Sequence, residues 1–195
     1  MSIGTTGSRY IDSGAYAIVG KTGTMAAGLG AAAPIFSFRW ASSTANAKAM
    51  IDRISVSVMS LGTGFTAGSG YIDAVIARAF TDPDTGGGTL TITGNNAKRR
   101  FGMDTTLLTE ARISSTATLS AGTRTLDDNA FGAVQFGVST ATNTVHLATS
   151  DLWRPDPLTY PLMLTASEGI ILRATVPATG TWQGIVSVEW REVLG

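Results

Sequence analysis

The chain has 195 residues, with 14 basic and 14 acidic side chains, no formal net charge and only 14% charged residues. With a pI near 6.6 and a mean hydropathy of +0.19, it lacks the basic excess that nucleic-acid binders use against phosphates. Charge this sparse suits a chain that lies against other protein surface. The absence of cysteine excludes disulfides, thiol nucleophiles and thiolate metal sites, and leaves the redox compartment open.

The opening MSIGTTGSRY has none of the charged-then-apolar layout of a signal peptide. No apolar run reaches the ~18 residues that a membrane span needs; the longest candidate, 25–36, is broken by Gly28, Gly30 and Pro34. The expectation is a soluble protein made where it is used, with no membrane partner. Residues 1–34 are rich in Gly, Ala, Ser and Thr and show no sustained period. They read as an extended N-terminal arm whose apolar pieces, Ile18-Val19 and 25–33, lie on a neighbouring subunit; the alternative is a disordered tail.

From Pro34 the pattern changes, and residues 35–195 read as one domain. IFSFRW (35–40) alternates Phe36, Phe38 and Trp40 against Ser37 and Arg39, which predicts a strand. Residues 41–49 read as a loop or a single helical turn. IDRISVSVMSL (51–61) places Ile54, Val56 and Val58 on one face. YIDAVIARAF (71–80) fits either period, and its position between two glycine-rich loops favours a strand. DPDTGGG (82–88) is a turn. TLTIT (89–93), RISSTATL (112–119), 131–138 and TVHLA (144–148) follow as short strands, and 151–161, with three prolines, as a loop. The end of the chain is the clearest part. EGIILRATV puts Ile170, Leu172 and Ala174 on one side. WQGIVSVEWREV alternates Val186, Val188 and Trp190 with Ser187, Glu189 and Arg191, and PATG (177–180) between the two runs suits a hairpin.

Short strands at this spacing, with almost no helical periodicity, indicate an all-β, single-domain antiparallel β-sandwich. A jelly roll is the first choice and an immunoglobulin-like sandwich the second.

The motifs for chemistry are weak. Gly20-Lys21-Thr22 lacks the glycine and the strand of a phosphate-binding loop, and Gly62-Thr63-Gly64 with Gly68 misses the dinucleotide spacing. His146 is the single histidine, reads as a hydrogen-bonded strand residue, and has no GxSxG elbow or second imidazole to work with. Asp82 with Asp84, and Asp127 with Asp128, read as turn residues rather than calcium ligands. The sequence therefore predicts no enzyme, no cofactor, no metal and no small-molecule substrate. Partner-binding candidates are the basic cluster Lys98, Arg99 and Arg100, the loop pair Trp153 and Arg154, and Ile18 and Val19 of the arm. Trp40, Trp182 and Trp190 read as core.

Taken in order, FRWAS, ARAFTDPDTGG, TLTITGNNAKRR, RISSTATLSAGTRTLD, YPLMLTASEGIILR and VSVEWREV resemble a group of small structural proteins of tailed bacteriophages and prophages, over residues 35–193. The resemblance implies a non-enzymatic virion protein with a β-sandwich body, of the head-decoration or cement type. It would lie on the capsid surface and bind the major capsid protein and its own copies as a homotrimer. Three alternatives stand beside it: a neck, tail or fibre protein; a carbohydrate- or receptor-binding sandwich with Trp153 and Tyr160 as its aromatic platform; and a glycan hydrolase.

Overall fold

The computed structural model describes residues 11–26, 28–44, 46–61, 64–138, 145–156 and 160–194. Among the described residues thirteen strands form: β1 (Ile11–Lys21), β2 (Met25–Ala26), β3 (Ala33–Trp40), β4 (Ala47–Ser60), β5 (Gly68–Arg78), β6 (Gly88–Thr89), β7 (Glu110–Ile113), β8 (Thr125–Leu126), β9 (Gly132–Val138), β10 (His146–Trp153), β11 (Leu162–Leu164), β12 (Glu168–Thr175) and β13 (Thr181–Leu194). They make two antiparallel sheets. The first, sheet A, runs β1-β13-β4-β10, with β2 also on β13 and β11 also on β4. The second, sheet B, runs β6-β7-β3-β12-β5-β8, with β9 also on β5. The chain is thus an all-β sandwich, as its spacing of short alternating runs predicts.

Eight strands carry the sandwich, and they pair first with last: β1 with β13, β3 with β12, β4 with β10 and β5 with β9. Two further ladders, β13 with β4 and β12 with β5, join these pairs into sheets. By rank among the eight, one sheet reads first-eighth-third-sixth and the other second-seventh-fourth-fifth.

The terminal hairpin is not formed. β12 lies in sheet B between β3 and β5, and β13 lies in sheet A between β1 and β4, so residues 176–180 arch across the core instead of turning within one sheet. The reason is in the burial. β13 alternates buried and partly exposed positions along most of its length, whereas Gly169, Ile170, Ile171 and Leu172 of β12 are all buried. A strand apolar on both faces needs cover on both sides.

The expected arm also changes. Residues 11–26 belong to the sandwich: β1 pairs with β13 along nearly its whole length, and Tyr16, Ile18 and Met25 are core residues. Small neighbours hide this period from a composition reading, and they are small for a reason. A Cβ added at Gly20 would lie 3.0 Å from Leu90 and 3.3 Å from Ile113, because β1 closes the sandwich against the far sheet. Residues 1–10 of the expected arm lie outside the described residues.

The core lies between the sheets. Trp40, Trp182 and Trp190 are fully buried, and each indole N–H donates to a partner: the Ala47 carbonyl, the Ala26 carbonyl and the Glu192 carboxylate, each at 3.3 Å. Trp190 stacks on Tyr16 at 5.5 Å and takes the edge of Phe38 at 5.1 Å.

Between β5 and β9 the chain makes a long excursion, residues 79–131, that supplies β6, β7 and β8 to sheet B. The strands expected at 89–93 and 112–119 shrink to β6 and β7. Residues 90–108 pack on the main core and along β1, and the two ends of the excursion fold over part of the outer face of sheet B. Phe80 and Leu126 cover Val75 and Ala77 of β5 and Ile171 of β12, a second small core. This explains the ambiguous 71–80 run: β5 is a strand buried on both faces over residues 72–77. Asp84, expected as an ordinary turn residue, is fully buried there and holds Arg124 by two hydrogen bonds, 2.7 Å to Nε and 3.1 Å to Nη2. Gly122 N–H donates to it at 2.9 Å, and Arg124 in turn lies 5.7 Å over the Phe80 ring.

Candidate docking face

The outer face of sheet B is covered around Val75, Ala77 and Ile171 by Phe80 and Leu126 of the excursion, with Tyr71 of β5 still 37% exposed. The outer face of sheet A carries no such layer among the described residues. Its composition follows from the alternation of β13 and β4: the positions that leave the core, Gln183, Ile185, Ser187, Glu189 and Arg191, stand beside Met59, Ser57, Ser55, Arg53 and Met50 in register. β1 adds Lys21 beside Ile185, Val19 beside Ser187 and Ala17 beside Glu189, and β10 adds His146 beside Met59.

The two ends of this face differ. At one end Val19 (66% exposed), Met59 (45%) and Ile185 (42%) stand in solvent. Beside Met59 and Ile185 runs a shallow groove of about 170 Å³ lined also by Lys21, Ser57, His146 and Gln183. The other end is charged and self-neutralised, with Arg53 to Asp151 at 2.6 Å, Arg99 to Glu189 at 3.0 Å and Arg191 to Asp52 at 2.8 Å. A face with an apolar end and an internally paired charged end has the composition of a protein contact surface, where the apolar part contributes the affinity.

The edge of this face is finished by the excursion. Ala17 N–H donates to the Ala97 carbonyl at 2.9 Å and Arg99 N–H to the Ala15 carbonyl at 3.1 Å, so residues 97–99 cap the outer edge of β1 and block strand addition there. The turn that follows presents Phe101, 90% exposed.

The partner-binding candidates from the sequence thus separate. Val19 is on the open face, but Ile18 points into the core at 6% exposure, as adjacent residues of a strand must. Lys98 and Arg99 are held to β1 by their backbone, Arg99 is ion-paired to Glu189, and Arg100 is exposed. Trp153 is not in a free loop. It ends β10 opposite Ile54, is half-buried, meets Phe131 edge-on at 5.8 Å and donates to the Ile51 carbonyl at 3.4 Å. Arg154 is exposed, 3.9 Å from Asp151. Tyr160 is 95% exposed, while Trp153 packs on Phe131. His146 stands exposed on β10 at the groove rim.

Among the described residues, no group of three or more His, Asp or Glu is placed to hold a metal ion. Asp127 is gripped by Arg78 through two hydrogen bonds, 3.1 and 3.0 Å, which hold its carboxyl below the usual range. Another carboxylate, unlike Asp127, is buried near the end of β13. Glu192 accepts from Leu107 N–H at 2.9 Å and from the Thr106 hydroxyl, and burial pushes its pKa up while those hydrogen bonds pull it back. Beside it, burial first and then the Glu192 charge push the Tyr16 phenol up to about 12; its hydroxyl donates to the Asp104 carbonyl at 3.0 Å. This cluster ties residues 104–108 to the sandwich.

Sequence reasoning missed Met59, Ile185 and Phe101. The first two carried a signal, since each is apolar in the outward phase of its strand. Phe101 carried a weaker one: it is the aromatic of an otherwise polar, basic turn. Comparison with protein-family models and with curated proteins finds no match to this chain.

Proposed function

We propose that this protein is a non-enzymatic structural component of a tailed-phage virion, a capsid decoration or cement protein that binds the major capsid protein lattice and its own copies as a trimer. The observation that carries the reading is the asymmetry of the sandwich. Part of the outer face of sheet B is covered by the chain's own Phe80 and Leu126, while sheet A leaves Val19, Met59 and Ile185 exposed on a broad face. A cement protein needs such a rigid slab with an apolar patch left for a partner. The finer fold reading is a jelly roll. Its support is the first-with-last pairing of eight strands and their order in the two sheets, which is the order of two interlocked Greek keys. Jelly rolls also serve lectins and enzymes, so the fold leaves the function to the surface.

The test is a cryo-EM reconstruction of the intact particle at side-chain resolution. The expected result is density for the sandwich on the capsid lattice with the outer face of sheet A against the major capsid protein. Density at the neck or tail would keep a virion role and discard the cement role. Absence from the particle would overturn both.

A further inference from the structure

The basic turn at residues 98–102 is the most exposed structured feature beside the open face, and it deepens the reading above by giving the partner's chemistry. We infer that Phe101 is the anchor of the docking contact, entering an apolar pocket on the partner protein whose rim carries carboxylates that meet Lys98 and Arg100.

Three observations lead there. Phe101 is 90% exposed, so its ring contributes almost nothing to the fold, and its full area is free to be buried on binding. The turn bearing it is held on both sides. Residues 97–99 are hydrogen-bonded to β1, the Arg99 guanidinium is fixed to Glu189 at 3.0 Å, Met103 N–H donates to the Arg100 carbonyl at 3.3 Å, and the Met103 side chain packs on the core. A ring presented on a fixed turn loses little freedom when it docks. The third observation is charge. Arg53, Arg78, Arg99, Arg112, Arg124, Arg154, Arg173 and Arg191 all meet carboxylates of this chain. Among the described residues Lys98 and Arg100 meet none; nor do Lys21, Arg39 and Lys48, but only Lys98 and Arg100 lie within three residues of an exposed aromatic on one turn. In a chain of zero net charge, two unneutralised cations flanking an exposed aromatic ask for a carboxylate-rimmed site.

A second copy offers no such site in its described grooves. The groove on sheet A carries Lys21 and His146, and the one between residues 42–48 and 165–166 carries Lys48. The threonine-lined groove holds a single acid, Glu110, already ion-paired to Arg112. The exposed ring and its two flanking cations fit a different protein with a carboxylate-rimmed apolar pocket, which in the cement reading is the major capsid protein.

The experiment measures binding of the full chain to purified heads assembled in its absence. It compares wild type, Phe101→Ala, the double variant Lys98→Glu with Arg100→Glu, and Phe101→Trp as a fluorescent reporter. All four should melt within about 2 °C of one another, because these side chains are at the surface. Phe101→Ala should weaken binding at least about tenfold. The charge reversal should weaken it and flatten its salt dependence, and the emission of Phe101→Trp should shift to the blue on binding. Wild-type and variant proteins binding heads equally would overturn the anchor and leave the cement reading intact. A blue shift on vesicles containing a third phosphatidylserine, with no binding to heads, would overturn it in favour of a membrane contact. No binding by wild type to either would overturn the anchor's partner and the cement reading together.

Discussion

Replacing Asp84 with Asn tests whether the roof over sheet B is held by one buried ion pair. The substitution keeps the volume and removes the charge. Asp84 is fully buried, the Arg124 side chain is 3% exposed, and the carboxylate accepts two hydrogen bonds from that guanidinium and one from Gly122 N–H. With the charge gone, Arg124 stays in the interior with a single amide oxygen to donate to, an amide NH2 where the second carboxylate oxygen stood, and the face of Phe80. Stranding a buried ion in this way costs about 3–5 kcal/mol, a large share of the ~5–15 kcal/mol that holds a typical domain together. For a chain of this length that is a fall of roughly 6–20 °C in Tm. Urea unfolding followed by tryptophan fluorescence gives the free energy. Hydrogen exchange at residues 80–85 and 119–128 shows whether the roof lifts before the sandwich opens. The double variant Asp84→Leu with Arg124→Met, which removes both charges and keeps apolar volume, should recover most of the loss. The reasoning fails if Asp84→Asn costs less than about 1 kcal/mol, or if the double variant is no more stable than the single one.

Four other expectations follow from the same geometry. The Tyr16 phenol titrates at 10.0 when unfolded and about 12 when folded. Its contribution is therefore whole below pH 10 and is lost as the pH rises toward 12, by about 2–3 kcal/mol; Tyr16→Phe should flatten that part of a stability-versus-pH curve, and an unchanged slope would sink the assignment. Glu192, whose carboxyl burial raises above its ordinary 4.5, gives the same sign at lower pH, with stability falling as the pH rises through its folded value. Glu192→Gln should remove that dependence at a cost within about 1 kcal/mol, whereas Glu192→Ala leaves the Leu107 and Trp190 N–H groups unsatisfied at about 1–3 kcal/mol each, measured by urea unfolding at two pH values. Gly180, at φ +111 with an added Cβ 2.7 Å from the Gly64 carbonyl, should lose about 1–3 kcal/mol on change to Ala. Gly137→Ala, where a Cβ would meet nothing within 4 Å, should change thermal stability by less than about 0.5 kcal/mol.

The fold class was legible because alternation depends on local residue order alone. Phe36, Phe38 and Trp40, then Val186, Val188 and Trp190, announce half-buried strands wherever they end up, and the three tryptophans had no role but core. Pairing is a different matter. EGIILRATV and WQGIVSVEWREV look the same as a hairpin or as an arch, and only the competition for neighbours separates them: β13 is claimed by β1 and β4, and β12 by β3 and β5. The contiguous Ile170, Ile171 and Leu172 hinted at cover on both faces, yet the cover comes from Phe80 and Leu126, distant in the chain. The N-terminal strand was hidden because its partners decide its size. Gly20 is small since Leu90 and Ile113 stand against it, a fact of tertiary closure that composition reports only as weakness.

The candidate surface divides in the same way. The basic cluster at 98–100 was visible as charge, and Val19 as apolarity, because both are properties of residue type. Exposure is not. Ile18 and Val19 differ by one position and so point to opposite sides of β1, Trp153 is withdrawn by Phe131, and Phe101 stands in solvent because residues 97–99 are stitched to β1. Residue order by itself determined an all-β chain, its strand-forming runs and its near-neutral charge, since these depend on neighbours along the backbone. The tertiary structure alone decided which strands meet, which carboxylates are buried and which face is left open, because each is settled by what packs against it from far away in the chain.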